Sequence, residues 1–73
     1  MVDVPRSPEL PSERTERLLR EMISGMESGA QLPAVKQLAA DLGTTRTTLS
    51  RVLKKLEDEG LITVRHGWGT FVL

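Results

Sequence analysis

The sequence contains no cysteine and a single histidine. Without cysteine, neither a disulfide framework nor a cysteine-based zinc site can stabilise the fold, and this composition suits a reducing compartment. One histidine, His66, is too few for a metal cluster or a catalytic dyad. The sequence also offers no nucleophile paired with a base and no phosphate-cradling loop. We therefore expect neither an enzyme nor a bound cofactor.

Long hydrophobic runs are missing as well. No apolar stretch approaches the roughly 18 residues that a membrane span requires. The polar, Pro-rich first segment lacks the apolar stretch of a signal peptide. The expectation is a soluble cytoplasmic domain without membrane contact, in which 73 residues build one small core.

An excess of one sign of charge is also absent, since ten basic and ten acidic residues give zero net charge. Neutrality argues against a nucleic-acid partner. The distribution is uneven, however. Residues 1–43 carry five basic and seven acidic side chains, whereas residues 44–73 carry five basic and three acidic. Those three acids are adjacent at 57–59, so the rest of the C-terminal part is basic.

Hydrophobic spacing predicts two helices in the first 43 residues. The first begins near Ser12, a suitable N-cap. Its apolar residues recur at helical spacing as far as Met26, with Gly25 and Gly29 bracketing the end of the helix. The second opens at Leu32-Pro33 and ends at Gly43, which suits a left-handed C-cap. Only a glycine turn therefore separates the second helix from the next element of the chain.

The C-terminal part predicts a third helix and a hairpin. The helix begins at Thr44 or Thr45 and ends at Gly60. Two apolar runs then flank a Gly-Trp-Gly turn at 67–69, the pattern of a β-hairpin. We predict a core formed by Leu38, Leu42, Leu49, Val52, Leu53 and Leu56.

These elements predict one domain that is mainly α-helical with a small β-hairpin. Residues 1–11 contain three of the four prolines and few apolar anchors, which predicts a flexible N-terminal arm. Residues 12–73 form the domain. Two short helices joined through Gly43 make a helix-turn-helix. With the hairpin after them, the expected architecture is a three-helix winged helix-turn-helix.

Residues 32–72 resemble the DNA-binding domain of the GntR family of bacterial transcription regulators, and a looser similarity extends back to about residue 13. The segments that carry the resemblance are LP-x-x-K-x-LA, TRTTL, L-x-x-EG-L-I and HG-x-GTFV, in this order and spacing. The resemblance implies that the third helix enters the major groove of DNA and that the hairpin, the wing, approaches the minor groove.

The third helix starts with hydroxyl side chains around Arg46, although threonine and serine are indifferent helix formers. At a helix N-terminus, hydroxyls and free backbone N–H groups can bind phosphates, and arginine can fork onto a guanine edge. From the resemblance and this chemistry, the expected DNA-binding residues are Lys36, Thr45, Arg46, Thr47, Thr48, Ser50, Arg51, His66, Gly67 and Trp68. Lys36 and Ser50 stand where the family usually has arginine.

Several of these residues have other interpretations. The threonines could form a capped, solvated helix start. Lys54 could pair with Asp58, one turn away, as readily as with a phosphate. Arg51 either belongs to a basic strip facing DNA or contacts nothing. His66 is either an ordinary surface residue or a wing contact. Trp68 could fold back onto the domain, touch DNA or meet a partner protein.

The predicted function is sequence-specific binding of double-stranded DNA by a bacterial transcription regulator, most simply a repressor. The expected binding site is a palindromic operator occupied by a homodimer. The alternative is a winged-helix module that binds another protein, which the zero net charge favours. The chain could be a fragment or a short regulator, and the sequence leaves both open.

Overall fold

The computed structural model describes residues 9–73 and contains three helices and, after them, a two-stranded hairpin. The helices are α1 (Pro11–Ser24), α2 (Val35–Leu42) and α3 (Arg46–Asp58), and the strands are β1 (Ile62–Arg65) and β2 (Gly69–Val72). The predicted winged helix-turn-helix is confirmed. Within the described residues, no helix has both the length and the apolar character needed to cross a membrane.

The start of α1 differs from the prediction. Pro11 is the first helical residue, a position where the missing N–H of proline costs no hydrogen bond. The N-cap is Leu10 rather than Ser12. The side chain of Leu10 cannot accept a hydrogen bond, but its backbone N–H donates to Glu13 Oε1 at 3.2 Å. The glutamate thus supplies one half of a capping box.

The predicted N-terminal arm falls mostly on residues 1–8, which lie outside the described residues. Immediately after them, Glu9 accepts two hydrogen bonds from the Arg17 guanidinium, at 2.9 and 3.1 Å. Pro11, assigned to the arm from the sequence, already belongs to α1.

The helix-turn-helix is formed by α2 and α3. α2 begins at Val35, later than the predicted Leu32-Pro33, because the Leu32 N–H donates to the Thr70 carbonyl at 2.8 Å in the hairpin. Gly43 ends α2 in the left-handed conformation, with φ 64°, as predicted. This conformation is costly for residues with a Cβ. The glycine therefore permits the sharp turn into α3.

All six predicted core residues are buried. They pack with side chains from α1 and from the hairpin, so that the core lies where the three helices and the wing meet. Burial of each such side chain contributes about 1.5–3 kcal/mol. The additional members of the core are Leu19, Ile23, Leu32, Ala39, Ile62 and Val72.

The hairpin is antiparallel, with Ile62 opposite Val72 and Arg65 opposite Gly69. Its turn is residues 66–68, so the second glycine of the predicted Gly-Trp-Gly turn belongs to β2. The Trp68 N–H donates to the Arg65 carbonyl at 2.9 Å. This bond closes a four-residue β-turn from Arg65 to Trp68. Gly67, the third of these four residues, has φ 79°, which a type II turn requires and glycine allows.

Candidate nucleic-acid interface

The N-terminus of α3 is capped by its own threonines. Thr45 is the N-cap, and its hydroxyl oxygen accepts the Thr48 backbone N–H at 3.1 Å. The same hydroxyl donates to Thr48 Oγ1 at 3.0 Å. One of the free N–H groups of the first turn is therefore satisfied internally. Within residues 9–73, the Thr48 hydroxyl donates no hydrogen bond of its own.

Arg46 and Thr47 are exposed in the first turn of α3. At 100° per residue, Thr47 points directly away from the buried leucine stripe, and Arg51 and Lys54 lie on either side of Thr47. Ser50 lies on the flank of this outward face, and Arg46 lies nearer the edge of the buried stripe, where the first turn leaves it exposed. Within residues 9–73, Arg46 and Arg51 form no ion pair with a carboxylate. The outer surface of the helix thus carries free guanidinium groups beside hydroxyls.

A different set of charges is paired at the junction of α1 with α3. Lys55 lies 2.8 Å from Glu16, and Arg20 bridges Glu16 at 2.9 Å and Glu59 at 2.7 Å. These four side chains form one network that crosses between the two helices. The negative charges of Glu16 and Glu59, which could repel DNA, are therefore balanced by Arg20 and Lys55.

The network alters the ionisation of its members. Hydrogen bonds from Lys55 and then from Arg20 lower the pKa of Glu16 below its ordinary value of 4.5. The pKa of Arg20 is raised by its hydrogen bonds to Glu59 and Glu16. Both shifts favour the charged forms, so the network is intact at neutral pH.

Two weaker basic candidates are also placed by the structure. Lys36 is exposed in the first turn of α2, beside Val35, and forms no ion pair within the described residues. Lys54 lies 3.9 Å from Asp58, so the surface ion pair considered for it is present. A groove of about 270 Å³ is lined by Val35, Ser50 and Lys54 among others, and Lys36 is not part of its lining.

The three wing candidates all lie in the hairpin turn. His66, Gly67 and Trp68 are exposed, and 78% of the Trp68 surface is accessible. Trp68 therefore does not fold back into the core, one of the three interpretations of this residue. The predicted site residues occupy three places: the first turn of α2, the N-terminal half of α3 and the wing turn.

Two residues that hold the wing were not identified from the sequence. Gln31 donates from its amide to the Trp68 carbonyl at 2.9 Å. The Glu57 carboxylate accepts the Val64 N–H at 3.0 Å, joining α3 to the outer edge of β1. A glutamine in a loop and a glutamate in an acidic run carry no local signal of these contacts.

The sequence matches a known protein family and several bacterial proteins. The family described as "Bacterial regulatory proteins, gntR family" matches residues 11–72. The fatty acid metabolism regulator protein of Haemophilus influenzae (strain 86-028NP) is 47% identical over 45 residues, which are 62% of this chain and 19% of that protein. A regulatory protein of Escherichia coli (strain K12) is 41% identical over 61 residues, 84% of this chain and 23% of that protein. The chain thus spans about a fifth of the length of such relatives.

Comparison with solved structures gives the same fold. A Streptococcus agalactiae GntR structure superposes with a TM-score of 0.74 at 31% identity, covering 86% of this chain and 31% of that one. The AraR DNA-binding domain in complex with operator ORX1 superposes with a TM-score of 0.82 at 21% identity, covering 100% of this chain and 93% of that one. At this lower identity, the second likeness concerns the fold alone.

Proposed function

Since the chain belongs to the gntR family of bacterial regulatory proteins, we propose that it binds operator DNA with α3 in the major groove and the wing near the minor groove. The observation that supports the proposal is the exposed first turn of α3, where Arg46 has no carboxylate partner within residues 9–73. A helix of about 10–12 Å diameter fits a major groove about 12 Å wide. The chain would act in the bacterial cytoplasm, where such DNA lies.

The proposed contacts derive from side-chain chemistry. Arg46 forks onto the O6 and N7 atoms of a guanine, the commonest specific contact of arginine in the major groove. Thr47 places a methyl and a hydroxyl at the groove wall. Arg51, one turn further along the outward face, contacts a phosphate, as does Lys36, whose ammonium is a point charge rather than a planar fork. Ser50 offers one short hydrogen bond.

Thr45 and Thr48 contribute in a second way. The hydroxyls of Thr45 and Thr48 bind each other, so these residues first stabilise the N-terminus of α3, from which Arg46 reaches the DNA. The Thr48 hydroxyl then donates its own proton to a phosphate oxygen. At the wing, His66 and Gly67 approach the minor groove, and Trp68 contacts the sugar-phosphate wall beside them.

The zero net charge is compatible with this proposal. Glu16 and Glu59 are neutralised by Lys55 and Arg20 at the α1–α3 junction. Within residues 9–73, Arg46 and Arg51 on α3 and Lys36 on α2 form no ion pair. Local clusters of positive charge rather than total charge determine how a surface attracts phosphates.

We further propose a repressor that acts as a homodimer on a palindromic operator. A single small domain contacts few phosphates, so two copies across a two-fold axis bind far more tightly.

Selection of bound duplexes from a random-sequence pool tests the proposal. The expected result is an enriched motif that contains guanine, and loss of the preference at one position in an Arg46→Ala variant. Arg17→Ala is the matched control, since it removes a guanidinium on α1 that pairs with Glu9 and Glu21. A folded wild-type chain that enriches no sequence would overturn the proposal.

A second candidate is a module that binds another protein, favoured by the exposure of Trp68. Trp68, Phe71 and Leu73 line a groove of about 470 Å³ on the wing. If the folded chain retards no duplex in a gel shift, while Trp68→Ala abolishes capture of a partner protein, this candidate replaces DNA binding.

A further inference from the structure

The turn of the wing is held by a side chain that lies 37 positions earlier in the sequence. Gln31 Nε2 donates a hydrogen bond of 2.9 Å to the carbonyl oxygen of Trp68, the last residue of the turn. No other side chain within the described residues forms a hydrogen bond with the backbone of residues 66–68. In addition to the turn's own bond from the Trp68 N–H to the Arg65 carbonyl, the tip is therefore held by a side-chain contact from outside the hairpin.

The backbone that carries Gln31 is fixed against β2. The Val72 N–H donates to the Ala30 carbonyl at 2.8 Å, and the Leu32 N–H donates to the Thr70 carbonyl at 2.8 Å. These two bonds lie on either side of Gln31, which faces Phe71 across a single antiparallel bridge. The segment before α2 thus pairs with the free edge of β2 like a very short additional strand. This pairing fixes the backbone of Gln31 at a place from which its side chain reaches the turn.

Gly69 provides the space for this side chain. A Cβ atom at Gly69 would lie 2.5 Å from Gln31 Nε2, closer than real Cβ contacts, and the glycine has φ 124°. A larger residue would need to displace the amide and to adopt a strained backbone. The second glycine of the wing and the glutamine therefore form a matched pair.

The opposite edge of the hairpin, formed by β1, is held near the middle of the strand rather than at the turn. Glu57 on α3 accepts the Val64 N–H at 3.0 Å, which ties the middle of β1 to α3. The wing is thus attached on both edges, at its middle by Glu57 and at its turn by Gln31. Only the second attachment controls the residues proposed to meet DNA.

We propose that Gln31 is a positioning residue for DNA binding, which holds the wing turn in its bound conformation before DNA arrives. The inference rests on the proposed function, because it assigns the held turn to the DNA interface. A loop that is ordered in advance loses less conformational entropy when it binds. Gln31 carries no charge and acts through the Trp68 carbonyl, so it adds affinity without a phosphate contact.

The motion of the turn can be measured without DNA, because Trp68 is the only tryptophan and the chain has no tyrosine. Time-resolved fluorescence anisotropy of the free chain reports the mobility of this side chain. Gln31→Met has a similar length but no donor, and it should increase the fast component of the decay. Gln31→Lys, which retains a donor, should restore the wild-type decay. Gln37→Met is the matched control, since the Gln37 amide binds Asp41 on α2.

Binding to a duplex selected by the wild-type chain completes the test. Gln31→Met should bind about three- to tenfold more weakly, the equivalent of one hydrogen bond. Its salt dependence should be unchanged, since no charge is removed. Circular dichroism confirms that the variant is folded.

Two results would overturn the inference. One is unchanged Trp68 mobility in Gln31→Met, and the other is higher mobility with unchanged DNA affinity. Failure of the wild-type chain to bind any duplex would instead overturn the proposed function, since the mobility measurement does not depend on DNA.

Discussion

The Thr45 hydroxyl accepts the Thr48 backbone N–H at 3.1 Å and donates to the Thr48 hydroxyl at 3.0 Å. A single side chain therefore both starts α3 and orients the hydroxyl of the residue one turn later. This explains why a helix begins with residues of indifferent helix propensity. The capping geometry also places Arg46 at the first helical position, exposed to a partner.

Removal of this cap should destabilise the fold. We expect Thr45→Ala to lower the free energy of unfolding by about 0.5–2 kcal/mol, the usual range for an N-cap, as measured by urea denaturation. Thr45→Asp is the matched variant: a carboxylate also caps a helix, so stability should persist, while DNA affinity falls because the new charge faces phosphates. An equally stable Thr45→Ala variant would contradict the capping role.

A core substitution tests the orientation of α3. Leu53 is 6% exposed, and we expect Leu53→Ala to cost about 2–5 kcal/mol, enough to unfold so small a domain. Leu73, which is 59% exposed, provides the control, and Leu73→Ala should be nearly neutral. A cooperative thermal transition for Leu53→Ala near that of the wild type would show that this side chain is not part of the core.

The helices could be predicted from the sequence because their signals are local. The stripe that includes Leu49 and Leu53 repeats at helical spacing, and Gly43 supplies the turn that separates α2 from α3. The predicted starts of α1 and α2 were wrong, because hydrogen bonds to neighbouring or distant residues determine where each helix begins. Leu32 pairs with the hairpin rather than opening α2, and Leu10 with Glu13 caps α1 in place of the predicted serine.

The supports of the candidate site could not be predicted in the same way. Gln31 binds a carbonyl 37 residues away, and Glu57 binds a strand that the chain reaches only after it has turned. Neither hydrophobic periodicity nor a sequence motif predicts such a contact. The exposed candidates Arg46 and His66 could be identified from the sequence because they occupy specified positions of the TRTTL and HG-x-GTFV patterns. Their contacts with DNA stay predictions.

Acid should weaken the network at the α1–α3 junction. Lys55 and Arg20 lower the pKa of Glu16, so the stabilisation from its ion pairs is fully present above the ordinary value of 4.5 and is lost as the pH falls through the lowered folded value. Glu9, whose pKa is lowered chiefly by Arg17, contributes with the same sign. We expect the free energy of unfolding to decrease below about pH 4.5.

Glu16→Gln should reduce this dependence on pH, because the amide cannot ionise. Urea denaturation from pH 7 to pH 3 provides the comparison, since this range spans the ordinary glutamate pKa of 4.5. Glu27→Gln is the control, because Glu27 forms no ion pair within residues 9–73. If Glu16→Gln and the wild type lose stability in parallel, the network does not determine the acid response.

Operator symmetry tests the proposed assembly. A pair of domains should bind a two-fold symmetric site much more tightly than a half-site, because the second domain binds at a raised effective concentration. Titration of full and half-sites by fluorescence anisotropy measures the difference. Selected sequences without two-fold symmetry, or equally tight binding to a half-site, would count against the homodimer.

Lys36 should contribute to affinity without contributing to specificity. Its ammonium suits a phosphate, so Lys36→Ala should weaken binding to selected and scrambled duplexes alike and lower the salt slope by about one. Binding isotherms over a series of salt concentrations provide both quantities. A variant that loses its preference for the selected duplex would show that Lys36 reads a base.

DNA reading by α3 is tested most directly by the affinity of Arg46→Ala for the selected and the scrambled duplex at one salt concentration. We expect a loss of about 1–3 kcal/mol on the selected duplex and a much smaller loss on the scrambled one, because the guanidinium contacts a guanine edge. Arg17→Ala should change neither affinity. Equal weakening of both duplexes by Arg46→Ala, or no effect on either, would contradict the proposal that α3 reads DNA through Arg46.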